Sequence, residues 1–101
     1  MAEPRRDRRG LIDTSVVIDL DELDPDFLPD ELAVSALTMA ELAAGPHAAG
    51  DSAERARRQD RLQRAVDLLI AATAMAAELP LYTRNTGDFR GIEHLVEVVG
   101  V

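Results

Sequence analysis

Asp67 stands in Ala65 to Ala76, one of the most apolar stretches of the chain. An ionised carboxylate in such a stretch is costly unless something pairs with it. A divalent cation, an arginine or solvent at a cleft could fill that role. Its ordinary explanation is an Asp near a helix N-terminus, stabilised by first-turn amides. Three more acids stand in comparable settings. Asp13 interrupts the apolar run Leu11-Ile12 and Val16-Val17-Ile18, and Ser15 beside it could orient it or cap a following helix. Glu41 lies in Thr38-Met39-Ala40-Glu41, which also fits a capping box with Thr38 as the cap. Asp88, like Asn85, lies in a turn-rich stretch where an Asp needs no further reason.

Taken together, the four acids point to hard-cation chemistry. Carboxylates converging at strand ends suit Mg²⁺, or Mn²⁺ in its place, because both prefer oxygen ligands. Such a site can activate water and stabilise in-line attack on a phosphodiester. Cysteine is absent, and His47 and His94 lack the spacing of a zinc site, so both read as surface residues. All eleven basic residues are Arg, which excludes a lysine nucleophile and a P-loop.

The elements that must position these residues alternate between strand and helix. Leu11 to Leu20 reads as a buried strand interrupted at Asp13 and Ser15, where the strand could end and a helix start. Asp21 to Asp30, with Pro25 and Pro29, reads as loop or short helix. Leu32 to Ser35 is a short strand, and Thr38 to Ala44 a helix stopped by Gly45-Pro46. Ser52 to Arg64 is a polar, Arg-rich helix whose ordinary role is a solvated face. Ala65 to Leu79 follows as a helix apolar nearly all round, and therefore buried. Leu81 to Thr83 is a strand, Asn85 to Asp88 a turn, and Leu95 to Val99 a last edge strand. This alternation predicts an α/β fold with a mainly parallel sheet, whose ligands bind at the carboxyl ends of strands.

The chain of 101 residues suits one domain, residues 11–101, behind an Arg-rich N-terminal tail, residues 1–10. The tail lacks the apolar segment of a signal peptide, and no apolar run is long enough to span a membrane. A cytoplasmic location is the default expectation. The net charge of −8 speaks against general nucleic-acid affinity and favours a basic partner.

The ordered motifs Leu11-Ile12-Asp13-Thr14-Ser15-Val16, Thr38-Met39-Ala40-Glu41-Leu42, Val66 to Ala74 and Tyr82 to Phe89 resemble PIN-domain ribonucleases. The nearest likeness is to VapC-type toxins of bacterial toxin–antitoxin systems. The resemblance implies a PIN-like three-layer α/β fold and a Mg²⁺-dependent endoribonuclease that cleaves RNA. Asp13, Glu41, Asp67 and Asp88 match the family's acidic metal-binding, catalytic positions, and Ser15, Thr83 and Asn85 match positions that support them. It further implies a homodimer, neutralised by a cognate antitoxin in a hetero-oligomer. Arg84, Arg90 or the arginines of the Ser52–Arg64 helix could meet RNA phosphates. One departure stands out: the interval from Glu41 to Asp67 is too short for the extra strand and crossover the family places there, so the middle is shortened near residues 63–65.

Two other readings compete. A PIN-like module could bind RNA or an antitoxin without cutting, which the short middle favours and the four acids oppose. Val16-Val17-Ile18-Asp19-Leu20-Asp21 also looks like the strand and Asp-x-Asp of haloacid dehalogenase-type phosphatases. That family expects a small β-branched residue where Leu23 stands, and a downstream Lys that this chain lacks.

Overall fold

The computed structural model describes residues 7–44 and 53–101. Strand β1 (Arg9–Ile12) is followed by helix α1 (Thr14–Ile18), two single-turn 3₁₀ helices (Leu20–Glu22 and Pro25–Phe27) and strand β2 (Glu31–Val34). Helices α2 (Ala36–Ala44) and α3 (Ala53–Ala76) then lead to β3 (Leu81–Thr83), a 3₁₀ turn (Thr86–Phe89) and β4 (Val98–Gly100). The four strands form one all-parallel sheet in the order β2-β1-β3-β4. The Gly45-Pro46 helix stop, His47 and the first six residues of the tail lie outside the described residues. Arg9 and Gly10 belong to β1 rather than to a tail.

Alternation along the central strands builds two cores. Leu11 and Leu81 face one side, where Ile70, Ala71 and Ala74 of α3 meet Phe89 and Val96. Ile12 and Tyr82 face the other, against Val16 of α1 and Leu28. Each central strand is therefore covered on both faces, which is why Leu11-Ile12 and Leu81-Tyr82 read as unbroken apolar runs. Helices thus lie on both sides of a parallel sheet. Gly10 allows this packing: a Cβ there would lie 2.7 Å from Tyr82 Cε1 and 2.8 Å from Pro29 Cγ. Gly10→Ala is expected to cost about 1–3 kcal/mol through overpacking, read as a lower urea midpoint.

Several expectations are corrected. Of the two readings of Leu11 to Leu20, the interrupted one holds: the strand ends at Ile12, and the Asp13 side chain caps a helix that begins at Thr14, accepting from Val16 N at 3.2 Å. Ser35, not Thr38, caps α2: its Oγ accepts from Thr38 N at 3.1 Å. Glu41 therefore lies beyond the first turn, and the capping box is absent. The polar and apolar helices are one continuous helix, since no Gly or Pro interrupts Ala53–Ala76. At about 1.5 Å per residue it is about 36 Å long.

Nor is α3 buried all round. Ile70, Ala71 and Ala74 are buried, whereas Leu68 and Leu69 are 56% and 52% exposed. The helix packs on the sheet by one stripe, and among the described residues no further layer covers its outer side. The helix ends where Glu78 takes a left-handed φ of 56° and Pro80 forbids continuation. The last strand starts at Val98 rather than Leu95, because the chain turns just before it: Leu95 N donates to Ile92 O at 2.9 Å. Edge strand β2 leaves Leu32 and Val34 42% and 38% exposed. Among the described residues, no helix is long and apolar enough to cross a membrane.

Candidate active site

The strand order fixes where a ligand would sit. The chain leaves β1 for β2 on one side and reaches β3 on the other, so the connections diverge between β1 and β3. In parallel sheets the crevice at the carboxyl ends of strands, at such a divergence, is the usual binding place. Asp13 lies directly beyond β1, and its N–H donates to Tyr82 O at 3.1 Å across the divergence.

Hydroxyls join the two strand ends. Ser15 Oγ donates to Asp13 Oδ1 at 2.6 Å and accepts from Arg84 N at 3.1 Å. Thr83 Oγ1 lies 3.4 Å from Ser15 Oγ and accepts from Asn85 N at 3.0 Å. Asp13 and Thr83 are buried, whereas Ser15 is half-buried and its bond from Arg84 N faces solvent. Ser15 and Thr83 thus hold the β1 and β3 ends together. Asn85 contributes its backbone N–H, starting the turn that carries Asp88, whose own N donates to Asn85 O at 3.0 Å.

Asp67 lies deep inside α3, where helix-end amides do not reach it, so the helix-terminus explanation fails. Its carboxyl is held above the ordinary Asp range. Burial is the main cause, the hydrogen bond from Gln63 Nε2 at 3.0 Å opposes it, and the charges of Asp88, Asp13 and Glu41 push it up further. Acids from three other segments therefore lie within electrostatic reach of Asp67. Glu41 accepts a 2.7 Å hydrogen bond from Thr14 Oγ1. Among the described residues none of the four is in an ion pair; their partners are hydroxyls, a side-chain amide and backbone N–H.

The donor types would suit a hard cation: every donor is a carboxylate oxygen, and three of the acids add to the charge penalty on the fourth, Asp67. Among the described residues no three His, Cys, Asp or Glu side chains stand close enough together to enclose a metal ion directly.

Arg84 is held at this end of the sheet, with Nη1 2.9 Å from Asp19 Oδ2. Asp19 terminates α1, and Val16 to Ile18 are helical. The strand that the phosphatase reading requires ahead of its Asp-x-Asp is therefore not formed. Arg57, Arg58, Arg61 and Arg64 are exposed on α3, and His94 is exposed near the C-terminus. The apolar pocket of about 100 Å³ between α3 and Ile92–Val96 includes none of the four acids.

Four residues hold roles that a reading of the sequence misses: Thr14, Thr38, Gln63 and Asp19. Gln63 and Thr38 carry a local signal, since they precede Asp67 by four residues and Glu41 by three, on the same helical faces. Thr14 and Asp19 act across 27 and 65 residues, which no local pattern reveals. Compared with known proteins, the chain matches no family model, no curated protein and no solved structure.

Proposed function

We propose that this protein is a metal-dependent endoribonuclease with a PIN-like fold, acting as a toxin restrained by a basic partner protein. The observation that carries the reading is the convergence on Asp67 of charge from Asp13, Glu41 and Asp88, each delivered by a different segment. The place of Asp13 beyond β1 and of the Asp88 turn beyond β3, at the carboxyl ends of a parallel sheet, supports it, as does the ordered motif resemblance to PIN-domain ribonucleases. Asp13, Asp67 and Asp88, with Glu41, would hold Mg²⁺ or Mn²⁺ in part through its waters. When bound, the metal supplies positive charge for the phosphodiester and lowers the pKa of a bound water.

The chain's own residues do the rest. Ser15 and Thr83 fix the β1 and β3 ends, and with them the Asp13 carboxylate. Asp67, whose charged form is penalised by burial and by three neighbouring acids, would be relieved by the cation it helps to hold. Arg84, at the mouth beside Asp19, would meet an RNA phosphate. A net charge of −8, with four acids in one crevice that no described cation pairs, favours a cationic antitoxin segment as the restraining partner. The resemblance supports a homodimer, and a cytoplasmic location is the default that the composition suggests.

Incubating the purified chain with a structured RNA tests the reading. Cleavage is expected with Mg²⁺ or Mn²⁺, is expected to stop with chelator, and is expected to return when metal is restored. No cleavage with either metal, or cleavage indifferent to chelator, would overturn it. RNA binding without cleavage would favour the non-cutting module, to which the short interval between Glu41 and Asp67 already lends weight.

A further inference from the structure

Glu41 is half-buried on α2, and its side chain has three rotatable bonds. α2 packs against α1 and α3, and on it only Thr38 is fully buried, so the Glu41 side chain itself is not enclosed by core residues. What holds it is the hydroxyl of Thr14. Thr14 Oγ1 lies 2.7 Å from Glu41 Oε1 and 3.3 Å from Thr38 Oγ1. A threonine hydroxyl has one proton, and the shorter contact to the charged acceptor takes it.

Thr38 is itself fixed. It is fully buried, its N–H donates to Ser35 Oγ at 3.1 Å, and Ser35 Oγ donates to Thr38 Oγ1 at 3.2 Å. Ser35 is buried at the end of β2, and Thr14 is the first residue of α1 beyond β1. The three hydroxyls thus run from the end of β2, through α2, to the start of α1, and finish on Glu41. This arrangement does more than satisfy polar groups. It ties the acid on α2 to the residue next to Asp13 through one hydroxyl.

We propose that Thr14 is a positioning residue for Glu41, with Ser35 and Thr38 as its buried anchor, and that it sets the geometry in which Glu41 and Asp13 share a hydrated cation. The cation part of this inference rests on the nuclease reading; the ordering of Glu41 does not. The serine hydroxyl in place of threonine should serve equally, and an isosteric side chain without a hydroxyl should not.

The test compares Thr14→Val, Thr14→Ala and Thr14→Ser in the full chain. Without metal, NMR side-chain couplings of Glu41 should report one dominant rotamer in the wild type and in Thr14→Ser, and averaged rotamers in Thr14→Val. With Mn²⁺ as the probe, calorimetry should show affinity about tenfold or more weaker in Thr14→Val and within about twofold of wild type in Thr14→Ser. Turnover should follow metal affinity, with KM for RNA unchanged. Equal ordering of Glu41 in wild type and Thr14→Val, or failure of Thr14→Ser to restore it, would overturn the proposal. If Thr14→Val fails to fold, Thr14→Ala answers the same question. A wild type with an ordered Glu41 that binds no Mn²⁺ would sink the nuclease reading and the shared cation together, while leaving the positioning role intact.

Discussion

Asp67→Asn is expected to melt at a higher temperature than the wild type at neutral pH and, if the proposed nuclease activity holds, to cleave RNA more than about a hundredfold more slowly in the presence of Mg²⁺. Both effects follow from one electrostatic fact. The Asp67 carboxyl is held above its ordinary range by burial, with three neighbouring acids adding to it. An acid whose folded pKa lies above its unfolded one binds its proton more tightly in the native state. Stability therefore falls as pH rises from the ordinary Asp value, about 3.9, through the raised one. Above both, the full penalty is present. Asn carries no charge and keeps an oxygen for the Gln63 amide, so the penalty vanishes. The two melting curves should converge in acid, where Asp67 is protonated, and separate towards neutrality. Loss of groups that merely orient metal ligands costs about 10–100-fold in affinity or activity, so loss of a ligand should cost more. Added Mg²⁺ should raise the melting temperature of the wild type and leave that of Asp67→Asn nearly unmoved. A variant less stable than wild type at neutral pH would contradict the electrostatic account. Undiminished cleavage would remove Asp67 from the site.

Phe89→Ala should be the most damaging single core substitution near the site, at about 3–5 kcal/mol of stability. Phe89 is 1% exposed and packs in the cluster that joins α3 to the sheet. It also ends the 3₁₀ turn that begins at Thr86, so the residue before it, Asp88, is carried on its anchor. A domain of this size has only about 5–15 kcal/mol in total. The variant should therefore lose a large share of its urea midpoint. Phe89→Leu, which keeps most of the apolar volume, should lose much less. Near-equal midpoints for Phe89→Ala and wild type would show that the turn is not held by this side chain.

The central strands are legible in the sequence because a parallel strand covered on both faces has no polar side to show. Leu11-Ile12 and Leu81-Tyr82-Thr83 are such strands, and both fall where their apolar runs do. Asp13 and Asp67 stand out for the opposite reason, as charge in apolar settings, whereas Glu41 in a helix and Asp88 in a turn are ordinary there. Which residue starts α2 is not legible, because Ser35 and Thr38 are both competent caps and only the three-dimensional hydrogen bond chooses between them. The junction near residues 63–65 looks like a boundary because composition changes there. A helix, however, is broken by Gly, Pro or a cap, not by a change from arginine to leucine. The burial of α3 falls short of its apolarity, because apolarity states what a side chain tolerates, not what covers it. Leu68 and Leu69 are the instance. Thr14 gives no sign of its role, which depends on a partner 27 residues away.

The seam between β1 and β3 has a consequence for the order in which this protein can fold. Every pairing in an all-parallel sheet needs a crossover, so this one has no hairpin to start from. Ser15 and Thr83, which meet at the seam, are 68 residues apart. Closing that loop costs chain entropy before any contact repays it, and such long-range closures come slowly. The N-terminal half can pair β1 with β2 and bring Thr14 to Glu41 early, within 27 residues. Asp67 and Asp88 join only when α3 docks and β3 slides in beside β1. A nascent or partly folded chain therefore holds at most half of the acidic crevice, and the activity proposed for it arises only with the last long-range closure.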